Sequence, residues 1–224
     1  MAGIKVVGLG PGRAGLITRE TWELMKGGKH LLLRTKIHPT VEEILAEGIR
    51  GESYDDFYEE AEDFDSLYRR IARDLIHRAG SGEELVYAVP GSPLVAERTV
   101  VLLREMAAAS GVPLEIFPAM SFLDVLYARL GIDPVDGIAV VDAEEPDRLL
   151  HCRDFSMVVT QVYQQRVASE AKIMLLEVLP DEYEICYVHH LALPDESIRR
   201  IPLFELDRQR DMDHLTSLFI PRLM

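Results

Sequence analysis

Two glycine turns hold the residues of this 224-residue chain best placed to meet a ligand. The first, Gly8-Leu9-Gly10-Pro11-Gly12, follows an apolar run at residues 4–9 and precedes a helix that Thr18 is placed to cap. The second, Pro90-Gly91-Ser92-Pro93, follows the apolar run 85–89 and leads into another predicted helix. A buried strand that empties into a rigid, side-chain-poor loop leaves backbone donors and acceptors free at a sheet's carboxyl edge, where open α/β sheets bind ligands. Neither turn is a nucleotide fingerprint. The third glycine of a GxGxxG pattern is replaced by Arg13, and the second strand ends in Leu33-Arg34-Thr35, with no acid for ribose hydroxyls. No Gly-Lys-Ser/Thr follows either turn, which excludes a Walker-type triphosphate loop.

Other residues of chemical interest read as structural. His189 and His190 are adjacent, and adjacent residues on an extended strand point to opposite faces, so they are not expected to chelate one ion and no metal site is predicted. Cys152 and Cys186 are too few for a disulfide framework and sit among apolar neighbours, which fits a reducing compartment. The pairs Arg69-Arg70 and Arg199-Arg200 read as solvated surface charge.

Across the chain, 38 Asp and Glu against 24 Lys and Arg give a formal charge of −14. Such a surface repels phosphate backbones and anionic membranes, so neither nucleic acid nor membrane is an expected partner. No apolar stretch approaches the roughly 18 residues that span a bilayer. The amino terminus enters a strand without a signal-like segment, and the protein is expected to be soluble and cytoplasmic.

The elements that must position the turns alternate. Strands are predicted at residues 4–9, 31–33, 85–89 and 114–117, and helices at 18–26, 40–46, 66–78 and 94–109. The acidic stretch 52–65 is predicted as a loop or lid with Tyr54, Phe57, Tyr58 and Phe64 turned inward. This pattern argues a doubly wound α/β domain over residues 1–117. From residue 118 it changes to a helix at 121–130, strands at 138–141 and 157–162, a helix at 164–179, and strands at 184–193 and 215–220. That second domain, 118–224, reads as mixed α+β, and two such domains commonly bind ligands in the cleft between them.

The first glycine loop with Leu16-Ile17-Thr18, the Pro90-Gly91-Ser92-Pro93 turn and the segment Pro118-Ala119-Met120-Ser121-Phe122 together resemble the tetrapyrrole (corrin/porphyrin) methylase family. The segments at 201–208 and 215–221 look like the end of the methylase-like domain found fused to MazG-type nucleoside triphosphate pyrophosphohydrolases. The resemblance spans nearly the whole chain. It implies a two-domain α/β fold, a homodimer, and S-adenosylmethionine bound between the domains for methyl transfer to a small, possibly tetrapyrrole, acceptor. It also implies a MazG-type domain beyond residue 224, and, as an alternative to catalysis, a regulatory or dimerising role beside that enzyme. Carried over by position, the cofactor contacts fall on Pro11, Pro90, Gly91, Ser92, Val95, Ser121 and Phe122, and in the second domain on Gln161, Val162 and Leu191. The family's Gly-Asp-Pro turn is Gly91-Ser92-Pro93 here, so a neutral hydroxyl stands where a carboxylate is usual. Methyl transfer needs no covalent protein nucleophile, and no residue is assigned as catalytic.

Overall fold

The computed structural model of the chain describes residues 2–27, 29–61, 63–151 and 154–223. It divides into two compact units, Met1–Val125 and Leu126–Met224. The first unit contains, in order, β1 (Ile4–Gly8), α1 (Arg19–Lys26), β2 (His30–Leu33), α2 (Pro39–Ala46), β3 (Glu52–Ser53), α3 (Asp55–Glu60), α4 (Phe64–Gly80), β4 (Leu85–Val89), α5 (Arg98–Ser110) and β5 (Leu114–Ile116). The division between units falls inside α6 (Phe122–Leu130).

The five strands of the first unit form one parallel sheet in the order β3-β2-β4-β1-β5. Parallel sheets are covered on both faces, which is why these strands are unbroken apolar runs instead of alternating ones. On one face Ile4, Val6, Leu32, Tyr87 and Val89 pack with Leu67, Ile71 and Leu75 of α4 and Val100 and Leu103 of α5. On the other, Val7, Leu31, Leu33, Val86 and Ala88 pack with Met25 of α1 and Val41 and Ile44 of α2. Each such side chain, fully buried, contributes roughly 1.5–3 kcal/mol.

Local chemistry starts the helices where the sequence suggests. The Thr21 N–H donates to Thr18 Oγ1 at 3.2 Å, capping α1, with Glu20 in its first turn and Lys26 in its last to complement the helix dipole. The acidic stretch is not a loop. Its first two residues add β3 to the sheet edge, and Asp55 and Asp56 open α3, where negative charge faces the positive end of the helix dipole. Tyr54 is buried and Phe57 and Tyr58 pack against the core as expected, but Phe64 lies at the start of α4 and is 69% exposed.

The second unit adds β6 (Ile138–Asp142), β7 (Ser156–Thr160), α7 (Gln165–Leu176), β8 (Glu184–His189), β9 (Ser197–Pro202) and β10 (Thr216–Ile220). Its sheet runs β6-β7-β10-β8-β9, with β6 and β7 parallel and the other neighbours antiparallel, hence mixed. Val167, Ala168, Ala171 and Leu175 of α7 pack on Met157, Val159, Ile185, Tyr187, Leu218 and Ile220. Cys186 is a buried free thiol whose pKa burial raises; Cys152 lies outside the described residues. Among the described residues no helix is long and apolar enough to cross a membrane.

The cap of α2 makes the first unit acid-sensitive. His38 occupies the N-cap, and its Nδ1 accepts from the Thr40 N–H at 3.3 Å, so the ring must stay neutral there. Burial, and then the nearby Arg34 cation, lower its pKa from 6.5 to about 4. Between those two values the unfolded chain takes up a proton that the folded chain refuses, so stability falls as the pH drops through this window, by at most about 3 kcal/mol. Asn caps as well and does not titrate there. Urea unfolding at pH 7 and pH 4.5 should therefore show His38→Asn losing clearly less stability on acidification than the unsubstituted chain; equal losses would locate the acid sensitivity elsewhere.

Candidate functional site

In the first sheet β1 and β4 are neighbours whose outgoing connections run in opposite directions, β1 by way of α1 to β2 and β4 by way of α5 to β5. The two helices pack on opposite faces, so the loops after β1 and β4 part at a topological switch point, the usual ligand crevice of such sheets.

Backbone interactions tie these two loops together. Gly10 and Gly91 form an isolated antiparallel bridge, each N–H donating to the other's carbonyl at 3.1 Å, and the Leu9 N–H donates to the Val89 carbonyl at 2.9 Å. Gly10 and Gly91 have φ of +71° and +63°, a region that side chains with a β-carbon enter only at a cost. Below them Gly8 is enclosed. A β-carbon on it would lie 2.3 Å from the Gly91 oxygen, 2.5 Å from the Ala119 methyl and 2.8 Å from Pro93 Cδ. The loops after β1, β4 and β5 thus converge on one residue without a side chain. A β-carbon on Gly91, by contrast, would meet nothing within 4 Å.

These contacts refine the roles expected from sequence. Pro11 and Pro90 to Val95 do come together through the bridge, with Val95 held in a turn by its N–H to the Ser92 carbonyl at 3.2 Å. The Gly91 N–H and carbonyl are both engaged by Gly10, so this glycine shapes the loop. Ser121 is buried, and its hydroxyl accepts from the Leu123 N–H while Asp124 accepts from the Ser121 N–H, a reciprocal cap on α6. Its side chain therefore organises the start of α6, and Phe122 is half-buried on the first turn.

One ion pair at this edge has no sequence signal. Arg34, just past β2, pairs with Glu97, the N-cap of α5, at 3.0 Å, and Glu97 is 5% exposed. Burial raises the Glu97 pKa, partly offset by Arg34. Burial alone would lower that of Arg34, but Glu97 and the surrounding Tyr58, Tyr87 and Tyr68 hold it above its ordinary value. Arg34 Nε and the Tyr58 hydroxyl are buried without a hydrogen-bond partner among the described residues. On the same strand end Asp55 of α3 accepts from Thr35 Oγ1 at 2.5 Å and from the Lys36 N–H at 2.9 Å, so the acidic stretch anchors this loop.

In the second unit β7 and β8 end at the same edge, both antiparallel to β10 between them. Gln161 follows β7 with φ +62°, and His190 and Ala192 follow β8 with φ +52° and +66°. Together with Ala96 they are the four non-glycine residues of positive φ among the described residues, and all lie in segments leaving the carboxyl ends of strands. Each such conformation costs about 1–3 kcal/mol, and such residues concentrate at functional sites. Val162 and Leu191 are buried, Val162 within the core of this unit, so Val162 can offer a ligand only its backbone.

The tandem histidines depart from the sequence expectation. β8 stops at His189, and the left-handed His190 turns its ring back onto that of His189, centroids 3.7 Å apart. Strand alternation does not apply across this step, so the two rings share one side.

The enclosure of Gly8 and the openness at Gly91 predict opposite tolerances. Gly91→Ala should cost about 1 kcal/mol, the price of its left-handed backbone. Gly8→Ala, which must push a backbone oxygen aside, should cost about 3 kcal/mol or more. Chemical denaturation of the two variants checks this, and equal costs would contradict the convergence of loops on Gly8.

The chain is similar to known proteins in sequence and in fold. The model of a family described as Tetrapyrrole (Corrin/Porphyrin) Methylases matches residues 3–207. The Bacillus subtilis (strain 168) protein YabN, described as uncharacterized, is 41% identical over 227 residues that cover 99% of this chain and 45% of the relative, so the chain spans about half that protein's length. Among solved structures, the cobalt precorrin-4 methyltransferase CbiF has a TM-score of 0.75 at 15% identity, covering 96% of this chain and 93% of that one. Uroporphyrin-III C-methyltransferase from Thermus thermophilus, in complex with S-adenosylhomocysteine, has a TM-score of 0.68 at 22% identity, covering 98% and 92%. These likenesses establish the fold, a parallel and a mixed α/β sheet in sequence, as the glycine turns suggested. With a family match that takes in both sheets' defining turns, the chain belongs to the tetrapyrrole methylase family.

Proposed function

We propose that this chain is an S-adenosylmethionine-dependent methyltransferase that holds its donor at the loops following β1, β4 and β5 and acts on a small-molecule acceptor in the cytoplasm, as a homodimer. The observation that carries this reading is the Gly10–Gly91 bridge at the switch point, with open space above Gly91. When bound, S-adenosylmethionine supplies a methyl group on a positively charged sulfur. Pro11, Pro90, Ser92 and Val95 are the first-unit residues proposed to hold it, on a loop that Gly91 shapes, with Phe122 beside the Ser121 cap. Gln161, Val162 and Leu191 are the proposed second-unit contacts, and a cleft between the units is part of the same proposal. A formal charge of −14 does not oppose a cationic donor.

In-line displacement at a methyl carbon requires the acceptor to be positioned and water to be kept out, and these proline-braced loops are suited to both tasks. No side chain need form a covalent intermediate. The tetrapyrrole class is the first acceptor to test, because the family and the compared enzymes carry it in their names.

A second reading is favoured by Ser92, a hydroxyl at the position of the family's carboxylate, and by the relative's greater length. In it the chain is a methylase-fold domain that regulates or dimerises a MazG-type nucleoside triphosphate pyrophosphohydrolase. Calorimetric titration with S-adenosylmethionine and S-adenosylhomocysteine separates the two. Saturable binding that Ser92→Arg abolishes, with the variant's thermal melt unchanged, is the expected result. A folded chain that takes up neither ligand at millimolar concentration would overturn the methyltransferase reading and leave the scaffold reading.

A further inference from the structure

We infer that the methyl acceptor is an uncharged aromatic molecule bearing one hydrogen-bond-accepting oxygen, bound at the corner around Arg34, Glu97 and Tyr58. The inference rests on the methyltransferase reading and narrows its acceptor away from polycarboxylates. The corner lies on the β2 side of β4, and Glu97 ends the loop whose Pro90-to-Val95 part is proposed to hold the donor. A molecule seated there would stand beside that donor.

Apolar surface gathers at this corner. Among the described residues of the first unit five large hydrophobic side chains are exposed, and four of them flank the Arg34–Glu97 pair, in sequence or through Tyr68. Ile37 lies three residues past Arg34, Leu94 three before Glu97, and Val101 one helical turn after it. Phe64 stacks on Tyr68, ring centroids 6.0 Å apart, and Tyr68 is within electrostatic reach of both Arg34 and Glu97. Arg98, next to Glu97, pairs with Asp65, next to Phe64, at 3.6 Å, which brings the starts of α4 and α5 together. Exposed apolar and aromatic side chains around a few placed polar groups mark a small-ligand site.

The polar groups at the centre specify the ligand's chemistry. Arg34 Nε and the Tyr58 hydroxyl, both hydrogen-bond donors, are buried without a partner among the described residues. Two unpaired donors call for an accepting oxygen. A carboxylate is the wrong source of it. The Arg34 charge is already taken by Glu97 at 3.0 Å, and Asp55 brings a second carboxylate within electrostatic reach of Tyr58. Burial raises the Glu97 pKa, so the corner resists the negative charge it already holds, and a ligand carboxylate would add another against it. A carbonyl, amide or hydroxyl oxygen meets the same donors without that cost. The Arg34 side chain keeps 21% of its surface exposed, and Tyr58 and Tyr68 are half-buried, so the corner is reached from solvent past their rings.

The test is calorimetric titration of the full chain with two probes of one shape, 2-naphthamide and 2-naphthoate, in the presence of S-adenosylhomocysteine, whose own binding is measured first. The expected result is saturable binding of 2-naphthamide, roughly 10-fold or more tighter than that of 2-naphthoate. Tyr58→Phe should weaken 2-naphthamide about 3- to 10-fold yet melt no lower than the unsubstituted chain, because the lost hydroxyl has no partner to forfeit. Phe64→Ser should weaken both probes. Equal or tighter binding of 2-naphthoate would overturn the inference, and so would unchanged 2-naphthamide affinity in a folded Tyr58→Phe. A chain that binds S-adenosylhomocysteine and neither naphthalene would also overturn it, leaving the methyltransferase reading intact. Uptake of 2-naphthamide without S-adenosylhomocysteine would instead defeat that reading, and the acceptor role of this corner with it.

Discussion

A β-carbon on Gly8 would sit 2.3 Å from the Gly91 carbonyl oxygen and 2.5 Å from the Ala119 methyl, and the meeting of three strand-end loops depends on that atom being missing. Because β1 lies between β4 and β5, its last residue is the point over which both neighbouring loops must fold. With no side chain there, the Pro90-to-Pro93 turn can drop onto the sheet edge and bond to Gly10, and the segment after β5 can close from the other side. The prolines on either side of Gly91 limit the alternatives open to the turn before folding.

Rigidity at this edge is reinforced by charge. The Arg34–Glu97 pair joins the end of β2 to the start of α5, and removing either partner would leave the other's polar head buried without it. Asp55 does the same for the next residues of that loop. The second unit uses a different device. There the strand ends are shaped by non-glycine residues in left-handed conformations, Gln161, His190 and Ala192, held by their surroundings against an intrinsic penalty.

The sheet of the first unit was readable from its sequence because burial on both faces imposes continuous apolar runs, and because Thr18 and the glycine turns mark where those runs stop. The family was readable for a related reason: the sharp turns at Gly8–Gly12 and Pro90–Pro93 demand particular residue types. Composition misled where it stood in for geometry. Glu52 to Asp65 is acidic enough to pass for a solvated loop, yet Asp55, Asp56, Asp63 and Asp65 stand where a helix start favours them and its aromatics, apart from Phe64, pack inward. Arg34 and Glu97 are 63 positions apart, and only the parallel order of β2 and β4 brings them together. The side shared by His189 and His190 was not legible, because alternation ends with the strand at His189 and nothing in the residue type announces a left-handed His190.

Amide chemical shifts test, residue by residue, the proposal that the methyl donor sits at the first sheet's carboxyl edge. In a heteronuclear NMR titration of the isotope-labelled chain with S-adenosylhomocysteine, the largest shifts should fall on Leu9, Gly10, Gly12, Gly91, Ser92 and Leu94. Saturable shifts confined to other parts of the molecule, with these amides unmoved, would contradict it.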